Sequence, residues 1–165
     1  MIRRAFAWAV HGLTASGAVF AFLALLAIED RDWRLALLWL AAALAVDAFD
    51  GTFARWPHVK THAPRIDGDT LDLIIDYLNY VFVPAVLIWR AELVPPALAP
   101  WLVPAILVSA LYNFTRRDLK TEDNYFRGFP ALWNVVAFYL FVTRPDPAAG
   151  GGRVGALVAL TVPSG

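Results

Sequence analysis

Five aspartates in two short stretches carry the chemistry open to this sequence. "VDAFDGTFAR" (46–55) closes a long apolar segment with Asp47 and Asp50 three residues apart, followed at once by a glycine and soon by an arginine. "GDTLDLIIDYLNY" (68–80) opens the next apolar segment with Asp69, Asp72 and Asp76 at spacings of three and four. Residues so spaced share one face of a helix, so each stretch presents a row of carboxylates. Inserting one aspartate at the centre of a membrane helix costs roughly 2.5–3.5 kcal/mol, and less near its end. Clustering several adds mutual repulsion, and such a cluster calls for cations. An all-oxygen donor set suits hard divalent ions such as magnesium or manganese. Two such ions about 3.5–4 Å apart could clamp a phosphoryl group and stabilise its entering and leaving oxygens. The plainer alternative is helix capping, or pairing with Arg55, Arg65 or Arg116. Capping suits Asp69, at a helix N-terminus where the dipole favours a carboxylate. It does not suit Asp47 and Asp50, which sit at a C-terminal end.

The elements that must position these groups are membrane helices. The 165-residue chain is 59% hydrophobic with a mean hydropathy of +0.56 and carries only 17% charged residues, against about 25% in soluble domains. The formal net charge is zero, so no nucleic-acid partner is implied, and the absence of cysteine excludes disulfides and thiolate chemistry. Seven tryptophans and eleven phenylalanines suit aromatic belts at two interfaces. Arg3, Arg4 and "ASGA" imitate a signal peptide. The apolar run continues to Ile28, however, long enough to span where about 20 residues are needed, so a retained first helix is expected. Helices are expected at 6–28, 34–54, 70–90, 96–115 and 129–143. "VGALVALTV" (154–162) reads as the start of a sixth, left incomplete. The expected fold class is an all-α polytopic helical bundle of about six transmembrane helices, forming a single membrane domain over 1–165 in which the last helix reads as incomplete. Arg3, Arg4, Arg55, Lys60, Arg65, Arg116, Arg117, Lys120 and Arg127 fall on one side, against Arg31, Arg34, Arg90, Arg144 and Arg153 on the other. The positive-inside rule then places the N-terminus and the carboxylates at the cytosolic face.

With these residues on the page, a resemblance can be stated. D-x-x-D-G-x-x-A-R followed by G-x-x-x-D-x-x-x-D is similar to the signature of the CDP-alcohol phosphotransferases. Here it reads Asp47, Asp50, Gly51, Ala54, Arg55, Gly68, Asp72 and Asp76. Twelve residues separate Arg55 from Gly68, a longer spacer than the general pattern carries. "AWAVHGLTASGA", "GDTLDLIIDYLNYVFVPA" and "KTEDNYFRGFPALWNVVAFYLF" resemble the bacterial branch that uses choline as acceptor. The resemblance implies a bundle of about six transmembrane helices, usually dimeric, in the inner (cytoplasmic) membrane. It implies a cytosol-facing site with two divalent ions, Mn2+ or Mg2+, and attack of choline on CDP-diacylglycerol with release of CMP. It further implies Asp47, Asp50 and Asp72 as metal ligands, with Asp76 as general base and a further ligand. Asp47, Gly51, Ala54, Arg55 and Gly68 would then bind CDP, and Arg127 in "FRGFP" would contact the lipid phosphate. From spacing alone, Gly51, Ala54 and Gly68 serve equally well for tight helix packing.

A quaternary ammonium is held over aromatic faces. Trp8, Tyr77, Tyr80, Tyr112, Tyr125, Phe126, Phe129 and Trp133 lie near the cytosolic ends, and Glu122 and Asp123 could add negative charge. Each aromatic serves equally as an interfacial anchor. The basic stretch of Arg116, Arg117, Lys120 and Arg127 also suits contact with anionic lipid. His11 reads as a packing residue within the first helix. The competing functions are a sibling transferase using serine, inositol or glycerol 3-phosphate and, from a different class, a divalent-cation transport path. Carboxylates gathered at one side of the membrane, rather than along it, argue against transport.

Overall fold

A computed structural model describes residues 2–54, 67–115 and 132–143, with backbone alone for 2–7, 10 and 49–54. Its elements are α1 (Ile2–Glu29), α2 (Trp33–Ala54), α3 (Gly68–Tyr77), a π-helical turn (Leu78–Phe82), α4 (Val83–Arg90), α5 (Ala99–Thr115) and α6 (Trp133–Val142). No strand occurs among the described residues. Two packed units form, Met1–Asn79 and Tyr80–Gly165. In the second, α4 packs on both α5 and α6.

The first unit carries the acidic residues. Its α1 and α2 form an antiparallel hairpin across three residues. Arg31 takes a left-handed φ of 58°. Its N–H donates to Ile28 O at 3.1 Å, and Asp32 N–H donates to Ala27 O at 2.8 Å. This paired capping is a Schellman motif, which glycine usually makes. The carboxylate of Asp32 then caps α2 by accepting from Leu35 N–H at 3.0 Å. Along α1 the buried residues are Thr14, Gly17, Ala21, Ala24, Ala27 and Ile28. Along α2 they are Ala36, Leu40 and Ala43. These small side chains recur at helical spacing and let the two backbones approach closely. Phe20 and Trp39 stack at the side of the seam, centroids 6.0 Å apart.

The third helix joins α1 rather than α2: among the described residues, α2 and α3 each pack chiefly against α1. Gly68 meets His11, and Gly17 meets Ile75 and Asn79, so α1 and α3 run parallel. A side chain at Gly17 would collide with Cγ2 of Ile75. The carboxamide of Asn79 crosses this contact, donating from Nδ2 to Gly17 O at 3.0 Å and to Ile75 O at 3.1 Å. Beyond it the ladder widens into the π turn. Pro84, at the start of α4, has no N–H to return to the preceding turn.

Two helical spans among the described residues, His11–Glu29 and Gly68–Arg90, are long and apolar enough to cross a membrane. Ala99–Thr115 and Trp133–Val142 are apolar but shorter. Large side chains such as Phe22, Leu38, Trp101 and Tyr139 stand exposed, a surface that suits lipid contact better than water. The expected helices therefore form with shifted ends. The fourth begins at Ala99 rather than 96, because Pro95 and Pro96 sit in a turn closed by Leu98 N–H donating to Pro95 O at 2.9 Å. The fifth begins at Trp133. Segment 154–162 lies outside the described residues.

Gly17→Ala should lower the unfolding free energy by about 1–3 kcal/mol, the usual effect of overpacking a tight contact. Denaturant unfolding in detergent checks this, and an unchanged midpoint would contradict the close approach of α1 and α3.

Candidate metal centre

The helix packing dictates where the carboxylates go. Asp47 follows Ala43 by four residues, so it continues the α2 stripe that faces α1. Asp72 and Asp76 lie one and two turns beyond Gly68, beside the α3 face that meets α1 at Gly68, Ile75 and Asn79. The result is convergence. One carboxylate oxygen from each of Asp47, Asp72 and Asp76 lies within 4.8 Å of the others, and all three residues are half-buried.

At that separation two ionised carboxylates repel by roughly 3 kcal/mol at an effective dielectric constant of about 20. A cation is the direct remedy, and the donor chemistry fits one. Oxygens sharing a single Mg2+ at about 2.1 Å can be no more than about 4.2 Å apart, and a pair of ions about 3.5–4 Å apart bridges a wider set. The observed spacing of up to 4.8 Å is close to that limit. All donors are oxygen, which selects hard divalent ions over zinc or copper.

The start of α3 is fixed separately. Asp67, not Asp69, is its N-cap, accepting from Asp69 N–H at 3.1 Å and Thr70 N–H at 3.3 Å through Oδ1. Its Oδ2 accepts from the Thr70 hydroxyl at 2.7 Å. Asp69 is exposed in the first turn, outside the three-carboxylate cluster.

Of the residues picked from sequence, then, Asp47, Asp72 and Asp76 are brought together. Asp50, Gly51 and Ala54 lie in the last turns of α2, where only backbone is described, and Arg55 and Arg127 fall outside the described residues. Among the aromatics, Tyr80 and Trp133 are buried, Tyr77 is half-buried, and Trp8 and Tyr112 are exposed. Tyr125, Phe126 and Phe129 lie outside the description. His11, read as a packing residue, packs against Gly68 of the motif. The His11 ring lies over Gly68, with Cε1 only 2.9 Å from where a β-carbon would stand. The signal for it was an imidazole placed early in an apolar helix that starts on the same side as α3.

This contact gives Gly68 a local reason. Gly68→Ala should lower the melting temperature by pushing the ring aside. In a His11→Ala background the same change should cost almost nothing. A double-mutant cycle read by thermal unfolding checks this, and additive losses would contradict the contact.

The model of the CDP-alcohol phosphatidyltransferase family matches residues 10–163. A phosphatidylcholine synthase of Pseudomonas aeruginosa is 49% identical over 161 residues, covering 98% of this chain and 68% of the relative. One from Bradyrhizobium diazoefficiens is 46% identical, covering 96% of this chain and 59% of the relative. One from Legionella pneumophila is 42% identical, covering 82% and 54%. The chain thus spans a little over half to two thirds of the length of these relatives. No solved structure matches it.

Proposed function

Because the chain belongs to the CDP-alcohol phosphatidyltransferase family, we propose that it acts as a phosphatidylcholine synthase. It would move the phosphatidyl group of CDP-diacylglycerol to choline and release CMP. The observation that carries the reading is the convergence of Asp47, Asp72 and Asp76 from two helices, in a chain 49% identical to a phosphatidylcholine synthase.

In this reading Asp47, Asp50 and Asp72 hold the divalent ions, Mn2+ or Mg2+, with Asp76 at their edge. Bound there, the ions would neutralise the pyrophosphate and stabilise the charge left on CMP. The protein supplies the rest. Asp76 takes the proton of the choline hydroxyl as its oxygen bonds to the lipid-side phosphorus. The bond from that phosphorus to the CMP oxygen breaks, and CMP departs. Gly51, Ala54, Gly68 and Arg55 line the CDP site, and Arg127 contacts the lipid phosphate. Held geometry and fixed charge supply much of the acceleration. The single domain sits in the bacterial inner membrane as part of a six-helix bundle, its N-terminus and site facing the cytosol, and pairs as a homodimer. The exposed apolar side chains and the lysine and arginine asymmetry support that placement.

The test is CMP release by purified protein with CDP-diacylglycerol and Mn2+, offering choline, serine, inositol or glycerol 3-phosphate separately. Choline-dependent CMP together with phosphatidylcholine is expected. Release with a different alcohol would keep the reaction and overturn the acceptor, and CMP release with none would overturn both. Asp76→Asn should lower turnover by at least 100-fold, the usual scale of general-base loss, while CDP-diacylglycerol still binds. Retained turnover would contradict the base assignment.

A further inference from the structure

Asn79 is spent in an unusual way. It is 3% exposed, and its Nδ2 donates to Gly17 O on α1 and to Ile75 O on its own helix. Both carbonyls lie inside helices, where a backbone N–H one turn ahead can already serve them. Its Oδ1 is buried with no hydrogen-bond partner among the described residues. A buried acceptor left unpaired costs stability. The bond across to Gly17 offsets part of that cost, and packing alone does not call for an amide here.

Its place does. Asn79 lies three residues beyond Asp76, inside the π turn that follows α3, and π turns are frequent at functional sites. The carboxylates stand on α2 and α3, which pack chiefly against α1 rather than each other. The rotation and height of α3 on α1 therefore decide whether Asp72 and Asp76 reach Asp47. Gly17 and Ile75 close that contact by shape, and the Asn79 carboxamide adds direction, since a hydrogen bond to one carbonyl holds only one register.

We propose that Asn79 is a positioning residue for the carboxylate cluster. It clamps α3 to α1 in the register that brings Asp72 and Asp76 to Asp47. The inference rests on the reading that these three carboxylates bind a divalent cation.

Mn2+ binding to the full chain in detergent, followed by the loss of the free-ion electron paramagnetic resonance signal, tests it alongside thermal unfolding in metal-free buffer. Asp72→Asn serves as the reference for lost binding. Asn79→Thr keeps the volume and can return a hydroxyl hydrogen bond to Ile75 O, but it cannot reach Gly17. Asn79→Ala loses both bonds. Both variants should melt within about 4 °C of the parent yet bind Mn2+ about tenfold more weakly, the usual effect of removing support behind metal ligands. Parental affinity in both variants would overturn the inference and leave the metal reading intact. Loss of folding in both would make Asn79 a residue of the fold alone and also overturn it. No Mn2+ binding by the parent chain would overturn the metal reading first, and the inference with it.

Discussion

Three carboxylates on two helices converge to within 4.8 Å of one another because both helices pack on a third, α1. The α1–α2 hairpin turns Asp47 inward as the next step of a stripe of small buried residues. The parallel contact of α1 with α3, closed at Gly68 over His11 and at Gly17 over Ile75, sets the height of Asp72 and Asp76. Remove the small residues of α1 and the helices separate by the width of a side chain. That distance is comparable with the whole span of the cluster.

A chemical consequence follows from that arrangement. A site built from two rigid helices on a shared third is held more tightly than one built on loops, and two-ion phosphoryl chemistry depends on held geometry. The convergence also separates the functional readings. Carboxylates from α3 and from the C-terminal third of α2 form one local cluster, not a file of sites along a membrane path. Membership of the CDP-alcohol phosphatidyltransferase family points the same way.

Much of this was legible in the sequence. The spacing of Asp72 and Asp76 placed them together because both stand on one helix. Length and hydropathy placed the five helices to within four residues at every described end, the start of the fourth being delayed by Pro95 and Pro96. What the sequence did not disclose is what happens between helices. The clash avoided at Gly17, the cross-helix bond of Asn79 and the stacking of His11 on Gly68 pair residues tens of positions apart. No periodicity within one segment records such pairs. The capping role fell to Asp67 rather than Asp69 because the helix starts at Gly68, two residues before the expected 70, which leaves Asp69 inside the first turn. The π turn was equally hidden, since only Pro84 marked it.

The most direct measurement is a crystal structure of the protein grown with Mn2+, with diffraction collected at the manganese edge. The account predicts an anomalous peak bounded by Asp47, Asp72 and Asp76, at about 2.1–2.2 Å from one oxygen of each. Density that places these three carboxylates clearly, with no anomalous peak among them at saturating Mn2+, would contradict it.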